Sequence, residues 1–296
     1  MASRNDLRGE IRQFLTTRRA KITPERAGLP DYGGRRRVAG LRREEVALLA
    51  GISIEYYTRL ERGDARGVSD EVLDALARAL QLDDVERVHL TDLIRTANAR
   101  RPTRRPAKER VRPSVQRILD SMTGTAAFVR NGRLDILSAN QLGYALYSPA
   151  FLDPHRPVNL ARFIFLDPAS TQFYGDWDGI AHAAVGSLRA EAGRDPYHRQ
   201  LTDLIGELAT RSHEFWVRWA AHDVQHYRSG VQPFRHPIAG ELALDYDALE
   251  IPADPGLTIL AYTAAPDSPA QQALDQLTAW TSTQNQPPSA VTDRSA

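Results

Sequence analysis

The 296-residue sequence predicts a mainly α protein of two domains: an all-α domain of five short helices containing a helix-turn-helix, then an α+β domain with a five-stranded antiparallel sheet. Three observations lead there. Residues 5–95 carry apolar side chains at three- and four-residue spacing, with cap or turn residues between the runs. Late in the chain, three segments bounded by glycine and proline alternate or run apolar, as strands do. Charge also divides at the Arg112-Pro113 step, with 25 Lys and Arg against 17 Asp and Glu before it and 13 against 20 after it. A basic first half suits a polyanion such as DNA, whereas an acidic second half is repelled by one.

Leu7, Ile11, Phe14 and Leu15 place a first amphipathic helix over 5–20, which ends in a basic run before Pro24. GLPDYGGRRRVAG then reads as a loop in which Arg35, Arg36 and Arg37 are either a solvated charge run or a track for phosphates. The segment LRREEVALLAGISIEYYTRLERG is more specific. Val46, Ala47 and Ala50 give one helix an apolar face, Gly51 supplies the positive φ of a tight turn, Ile52 plugs it, and Ser53 caps a second helix. Tyr57 and Leu60 then face inward and Gly63 stops the helix, which leaves Ile54, Glu55, Tyr56, Thr58 and Arg59 facing outward. On such a helix in a major groove, Glu55 can accept from cytosine, Arg59 can donate to guanine or phosphate, Thr58 can do either, and Ile54 can meet a thymine methyl. Glu55 reads equally as an ordinary first-turn acid favoured by the helix dipole. Arg42 and Arg43 stand at a helix N-terminus against the macrodipole, a local cost that makes sense if phosphates sit there. Ser69 caps a fourth helix, and Asp83 with Glu86 forms a capping box for a fifth.

Residues 98–112, NARRPTRRPAKERVR, form a basic linker, either a passive tether or a further phosphate contact. Beyond it, Val115, Ile118 and Leu119 suggest a helix, and AAFVRNGRLDILSAN reads as two strands around Asn131-Gly132. Helical spacing covers 140–148, 158–165, 177–192, 197–210 and 212–225. Strands return in QHYRSGVQPFRHP, GELALDYDALEI and LTILAYTAA, before a helix at 269–280 and a polar tail. Two strands, a helical block and three strands can close as one sheet with helices on one face. The expected organisation is therefore a DNA-binding domain over 1–97, the linker 98–112, a ligand-binding and dimerisation domain over 113–280, and a disordered tail over 281–296.

The string from Leu41 to Gly63, with Val68-Ser69 and LDALARAL, resembles the XRE family of helix-turn-helix regulators, the Cro and phage-repressor type. Tyr57 departs from the aliphatic residue usual there. RRVAGLRREEVALLAGISIEYYTRLERG, NLARFIFLDP and FYGDWDGIA are similar to the MmyB-like subfamily, in which that tyrosine is ordinary. The resemblance spans Asp6 to Trp280. It implies an operator-binding transcription regulator whose second domain is PAS-like and takes an apolar ligand of fatty-acid type. DNA contacts are expected from Arg35, Arg36, Arg37, Arg42, Arg43, Ser53, Ile54, Glu55, Tyr56, Thr58, Arg59 and Arg62.

Aromatic residues crowd the helical block of the acidic half, and most are expected to be core. The candidates for ligand contact among and between them are Asn140, Tyr147, Arg162, Phe163, Tyr174, Trp177, Arg211, Trp219 and His222. Asn140 reads equally as a helix cap, and the arginines as partners of surface acids. A small DNA-reading helix covers few base pairs, so a homodimer reading half-sites about 34 Å apart is expected. Zero cysteines exclude disulfides, thiolate metal sites and thiol catalysis. His222 and His226 are four apart but lack H-E-x-x-H, and no phosphate-binding glycine motif or G-x-S-x-G elbow occurs, so neither enzyme activity, metal nor cofactor is expected. The alternatives for the second domain are a protein-interaction module or an enzyme acting on the bound molecule. With no apolar run of eighteen residues and no apolar N-terminal stretch, neither a membrane span nor a signal peptide is expected, and the location expected is cytoplasmic.

Overall fold

A computed structural model describes residues 4–29, 38, 40–98, 110–195, 198–221 and 228–284. The chain groups by contact into two units, Met1–Arg105 with His182–His226, and Pro106–Ala181 with Tyr227–Ala296. Among the described residues no helix is long and apolar enough to cross a membrane.

The first unit opens with α1 (Arg4–Lys21), α2 (Arg43–Ala50), α3 (Ile54–Glu61), α4 (Asp70–Ala79) and α5 (Asp84–Asn98), the five helices expected. Their caps follow the sequence signals. The Ser69 hydroxyl accepts from the Val72 amide at 3.4 Å, and Asp83 and Glu86 exchange amide-to-carboxylate bonds at 2.8 and 3.2 Å. Ile11, Phe14, Leu15, Leu41, Val46, Tyr57, Leu76 and Leu93 form one core. The unit also takes in 182–226, which lie within the span that the sequence assigns to the second domain. Packing explains the difference: Ala190 joins this core, and Gly193 lets the chain approach α5 so closely that a Cβ there would lie 2.8 Å from the His89 ring. The elements concerned are the later part of α10 (Trp177–Arg194), α11 (Arg199–Arg211) and α12 (His213–Ala221).

In the second unit, α6 (Pro113–Ser121) precedes β1 (Ala126–Arg130) and β2 (Asp135–Ala139). After α7 (Gln141–Leu146) and a 3-10 turn (Ala150–Leu152) come β3 (Val158–Asn159), α8 (Leu160–Leu166) and α9 (Ala169–Phe173). The chain closes with β4 (Ser229–His236), β5 (Gly240–Glu250), β6 (Thr258–Thr263) and α13 (Pro269–Gln284). The antiparallel sheet has six strands in the order β3-β2-β1-β6-β5-β4, not the five expected. The extra strand is two residues long, too short for periodicity to reveal, and it starts a segment read as wholly helical.

Helices also cover both faces of the central strands, not one. Val115 and Leu119 of α6 pack on Ala127, Val129 and Ile259, while Phe128 and Tyr262 face the aromatic block on the other side. Every residue of β1 except its last is therefore buried, so β1 cannot alternate. The Asn131-Gly132 pair does sit in the β1–β2 connection, where Asn131 is buried and its side-chain oxygen accepts from the Arg133 and Asp135 amides, both at 3.0 Å. α13 runs four residues into the span expected to be a disordered tail, and the rest of that tail lies outside the described residues, as does the linker over 99–109.

Candidate nucleic-acid interface and ligand site

The helix-turn-helix forms because each residue of its turn has one workable role. Ala47 is buried at the crossing of α2 and α3, and Gly51 takes φ 65, a left-handed conformation that a side chain would strain. Ser53 caps α3 by accepting from the Tyr56 amide at 3.1 Å. Tyr57 and Leu60 point into the core. At the far end Gly63 has φ 86, and a Cβ there would meet the Arg8 carbonyl oxygen at 2.4 Å, so α1 lies directly against the helix terminus.

One feature of this platform carries no signal in the spacing. Glu61, at the last position of α3, is 1% exposed and accepts from the Thr16 hydroxyl at 3.0 Å, Arg19 at 2.9 Å and Arg43 at 2.9 Å. Burial alone would raise the Glu61 carboxyl, but the bonds from Arg19, Arg43 and Thr16 outweigh it and hold the group below its ordinary value. The Tyr57 hydroxyl beside them is pushed up, first by burial and then by the Glu61 charge. Arg19 also donates to the Leu41 carbonyl at 2.8 Å, which ties α1 to the start of the motif.

Ser53, Ile54, Glu55, Arg59 and Arg62 are exposed on or beside α3, while Tyr56 and Thr58 are half-buried. The Arg59 guanidinium lies over the Tyr56 ring, 5.0 Å from its centroid, so Tyr56 acts as a shelf beneath a cation. The cost expected of Arg42 and Arg43 at a helix N-terminus is answered inside the protein. Arg43 pairs with Glu61, Arg42 lies 3.3 Å from Glu44, and the Arg42 amide donates to Glu45 at 2.6 Å. Both side chains still keep about half their surface exposed, 44% for Arg42 and 51% for Arg43. Arg35, Arg36 and Arg37 lie outside the described residues.

Of the nine ligand candidates, six lie in the second unit, two in the first, and one outside the described residues. Tyr147, Phe163 and Tyr174 share a buried aromatic core with Phe128, Phe173, Phe234 and Tyr262, their ring centroids 4.9 to 6.2 Å apart. Within it the Tyr147 and Tyr262 hydroxyls meet at 2.7 Å, and burial raises Tyr147, Tyr174 and Tyr262 far above the ordinary phenol value. These rings pack against one another. Asn140 is spent as a cap and brace: its oxygen accepts from the Ala127 and Gly143 amides at 3.0 and 2.7 Å, and its nitrogen donates to the Leu119, Met122 and Thr125 carbonyls. The Trp177 indole donates to the Ile164 carbonyl at 3.1 Å and the Ser170 hydroxyl at 3.2 Å.

Arg162 is half-buried on α8, its amide donating to Asn159. Arg211 is exposed and pairs with Glu207 one turn away at 2.8 Å. It belongs, with Trp219, to the first unit, where Trp219 stacks on Phe215 and carries the Arg189 guanidinium 4.2 Å from its ring. His222 lies outside the described residues.

Open space in the second unit is elsewhere. A groove of about 460 Å³ runs between α7, the 3-10 turn and α13, lined by Tyr144, Ala145, Phe151, Leu152 and Trp280 with Gln141, Ser148 and Thr281 at its edges. None of the six candidates in this unit is among its lining residues. Tyr144 and Phe151 stood out in the sequence only as members of an aromatic crowd, and nothing local links them to Trp280 in the last helix. His236, 3% exposed, was also without a signal. Its Nε2 donates to the Ala145 carbonyl at 3.1 Å and its Nδ1 accepts from the Ile238 and Ala239 amides, and burial holds it below the ordinary histidine value.

Two family models match the chain, and the second includes 182–226, which group by contact with the first unit. Residues 33–90 match a family model described as a helix-turn-helix domain. Residues 111–277 match the MmyB-like transcription regulator ligand binding domain. No curated protein matches the chain.

Proposed function

The chain belongs to the MmyB-like transcription regulators, and from that premise we propose that it reads a palindromic operator as a homodimer and responds to a small apolar, fatty-acid-like molecule held by its second domain. Its DNA-binding domain spans 1–97 and its ligand-binding domain 113–280, joined by the basic linker. The observation that carries the DNA reading is the exposed edge of α3. Ser53, Ile54, Glu55 and Arg59 stand on a helix whose opposite side is fixed by Tyr57, Leu60 and the buried Glu61. A short helix so presented reaches only a few base edges, which is why two copies on a two-fold axis are needed for a selective site. Arg42, Arg43, Arg62 and the cluster Arg35, Arg36 and Arg37 supply phosphate contacts, with Tyr56 and Thr58 completing the surface. Ligand acts by favouring one dimer geometry, since equal affinity for two geometries shifts nothing. Both matched domains are of transcription-regulator type, and no catalytic residue is assigned.

Footprinting with the full chain tests this reading. A discrete protected site with two related halves is expected. Arg59→Ala or Glu55→Ala changes base preference at particular positions, by about 1–3 kcal/mol each where a base contact is lost, whereas Arg42→Ala weakens binding to all sequences and lowers the salt slope by about one. Uniform, salt-sensitive coating of every fragment would overturn sequence-specific recognition.

A further inference from the structure

We propose that the last turns of α10 are a control contact for the DNA-reading helices: seated on α5, they hold α3 in its reading position, and they carry the state of the ligand-binding region to it. The proposal rests on the reading that α3 reads DNA, and it names how that site is regulated.

Three observations carry it. The first is membership. Residues 182–194 fall inside 111–277, the span matched to the ligand binding domain, yet they group by contact with the helices that read DNA. They also continue one unbroken helix that starts at Trp177, whose indole donates to the Ile164 carbonyl and the Ser170 hydroxyl. A helix closes its backbone bonds within itself and moves as a stiff element, which makes α10 a means of passing a shift at Trp177 on to Gly193.

The second is fit. Ala190 is 8% exposed in the core built by α1 to α5, and the Thr96 hydroxyl of α5 donates to the Gly193 carbonyl at 3.3 Å. A Cβ on Gly193 would lie 2.8 Å from two atoms of the His89 ring and 3.7 Å from Leu93. The Gly193 backbone is helical, a conformation any residue adopts, so what the position requires is the absence of a side chain. A seat built on two small residues and one hydroxyl bond buries little, and it opens without unfolding either helix.

The third is continuity. His89 meets Phe14 of α1 edge to face at 5.3 Å, and α1 in turn abuts the end of α3, where Gly63 lies against the Arg8 backbone and Thr16 and Arg19 bond to Glu61. From Gly193 to α3 each step is a packed contact, and close-packed helices pass a displacement on as a shift between discrete arrangements. Movement of α10 on α5 therefore alters the stance of Ile54, Glu55 and Arg59.

The test uses the full chain and the duplex protected in footprinting, with affinity read by fluorescence anisotropy. Gly193→Ala sets a methyl group against the His89 ring and is expected to weaken the duplex about fivefold or more. Adding His89→Ala makes room for that methyl and recovers most of the loss, which a simple fall in stability would not. Thr96→Val keeps the side chain's size, removes only its bond, and weakens the duplex about twofold. Trp177→Phe, at the far end of the helix, shifts affinity about twofold in the native chain and leaves it unchanged in Gly193→Ala. Because coupling is reciprocal, adding duplex also changes hydrogen exchange over 182–194 in the native chain and not in Gly193→Ala, while 54–61 is protected in both. Affinity indifferent to both Gly193→Ala and Thr96→Val overturns the contact while leaving DNA recognition intact. A Trp177→Phe effect that persists in full in Gly193→Ala overturns transmission through α10. A chain that binds no duplex removes the DNA reading itself, and the control contact with it.

Discussion

Each unit buries a polar cluster, and the two solve the problem differently. In the first unit the cluster is ionic: Glu61 is enclosed by Arg19, Arg43 and Thr16 at 2.9 to 3.0 Å. In the aromatic core of the second unit, apart from the largely buried Arg133–Asp135 pair of that unit, it is neutral, with the Tyr147 and Tyr262 hydroxyls sharing a bond at 2.7 Å among phenyl rings and with Tyr174 close by. Removing the carboxylate from the ionic cluster is costly, because the buried Arg19 is left uncompensated in a poor solvent. A pair of phenols loses only one modest bond when a member is removed, because the ring that remains still fills its space. The reading helix is thus held by an ionic lock, and the aromatic core by packing that can yield.

The largest test of that contrast is removal of Glu61. Glu61→Ala leaves Arg19, whose side chain is 13% exposed, without its carboxylate, and loosens α1 from the end of α3. A loss of about 3–5 kcal/mol of stability in denaturant unfolding is expected. If the loss is below about 1 kcal/mol, the cluster is an ordinary surface pair and the contrast collapses.

The contrast also appears in pH. Glu61 lies below the ordinary glutamate value of 4.5, so the folded state keeps the carboxylate where the unfolded chain has begun to take up a proton. Its contribution is complete above 4.5 and is lost as pH falls through the folded value. His236 is likewise depressed, from 6.5, so the unfolded chain binds a proton that the folded ring refuses, and stability starts to fall below 6.5. The refusal is geometric as well as dielectric: a proton on Nδ1 would face the Ile238 and Ala239 amides. Stability measured from pH 8 to 3 should therefore decline in two windows. His236→Gln should reduce the decline that opens below 6.5, and Glu61→Gln only the one below 4.5, to which Asp64 and Asp153, also held low, add. A single change that reduces both would show that the two groups do not report on separate clusters.

The lock and the core also differ in how far sequence exposes them. Gly51, Ser53, Tyr57 and Leu60 act within one turn of chain, so their roles were visible from spacing. Glu61 was not, because its partners lie 18 to 45 residues away and an acid at a helix end has an ordinary solvated reading. The ligand candidates have local partners that the sequence also allows. Asn140 has a local reading as a cap, and the structure takes it, spending the amide fully on backbone groups. Arg211 met an acid one turn away, also a local event. The groove instead joins α7 to α13 across about 130 residues, and the sixth strand, β3, is two residues long, too short to show a period. What was legible was what neighbours in sequence accomplish together.

The smallest effect is expected from the phenol pair. Tyr262→Phe removes one hydroxyl and keeps the ring that meets Phe128, Tyr147, Phe234 and Tyr246 at 5.6 to 6.2 Å. The Tyr147 hydroxyl then loses its 2.7 Å partner, though Tyr174 remains near enough to interact with it. A cost of about 1 kcal/mol follows, since one neutral bond is lost and no charge is stranded. Tyr147→Phe with Tyr262→Phe should cost less than the sum of the two single changes, because the bond they share is lost only once. That double-mutant cycle, read by denaturant midpoints at constant slope, is the neutral counterpart of the Glu61 experiment. A cost above about 3 kcal/mol would mean that the phenols hold the second unit as tightly as the carboxylate holds the first, and the core would then not be the yielding element.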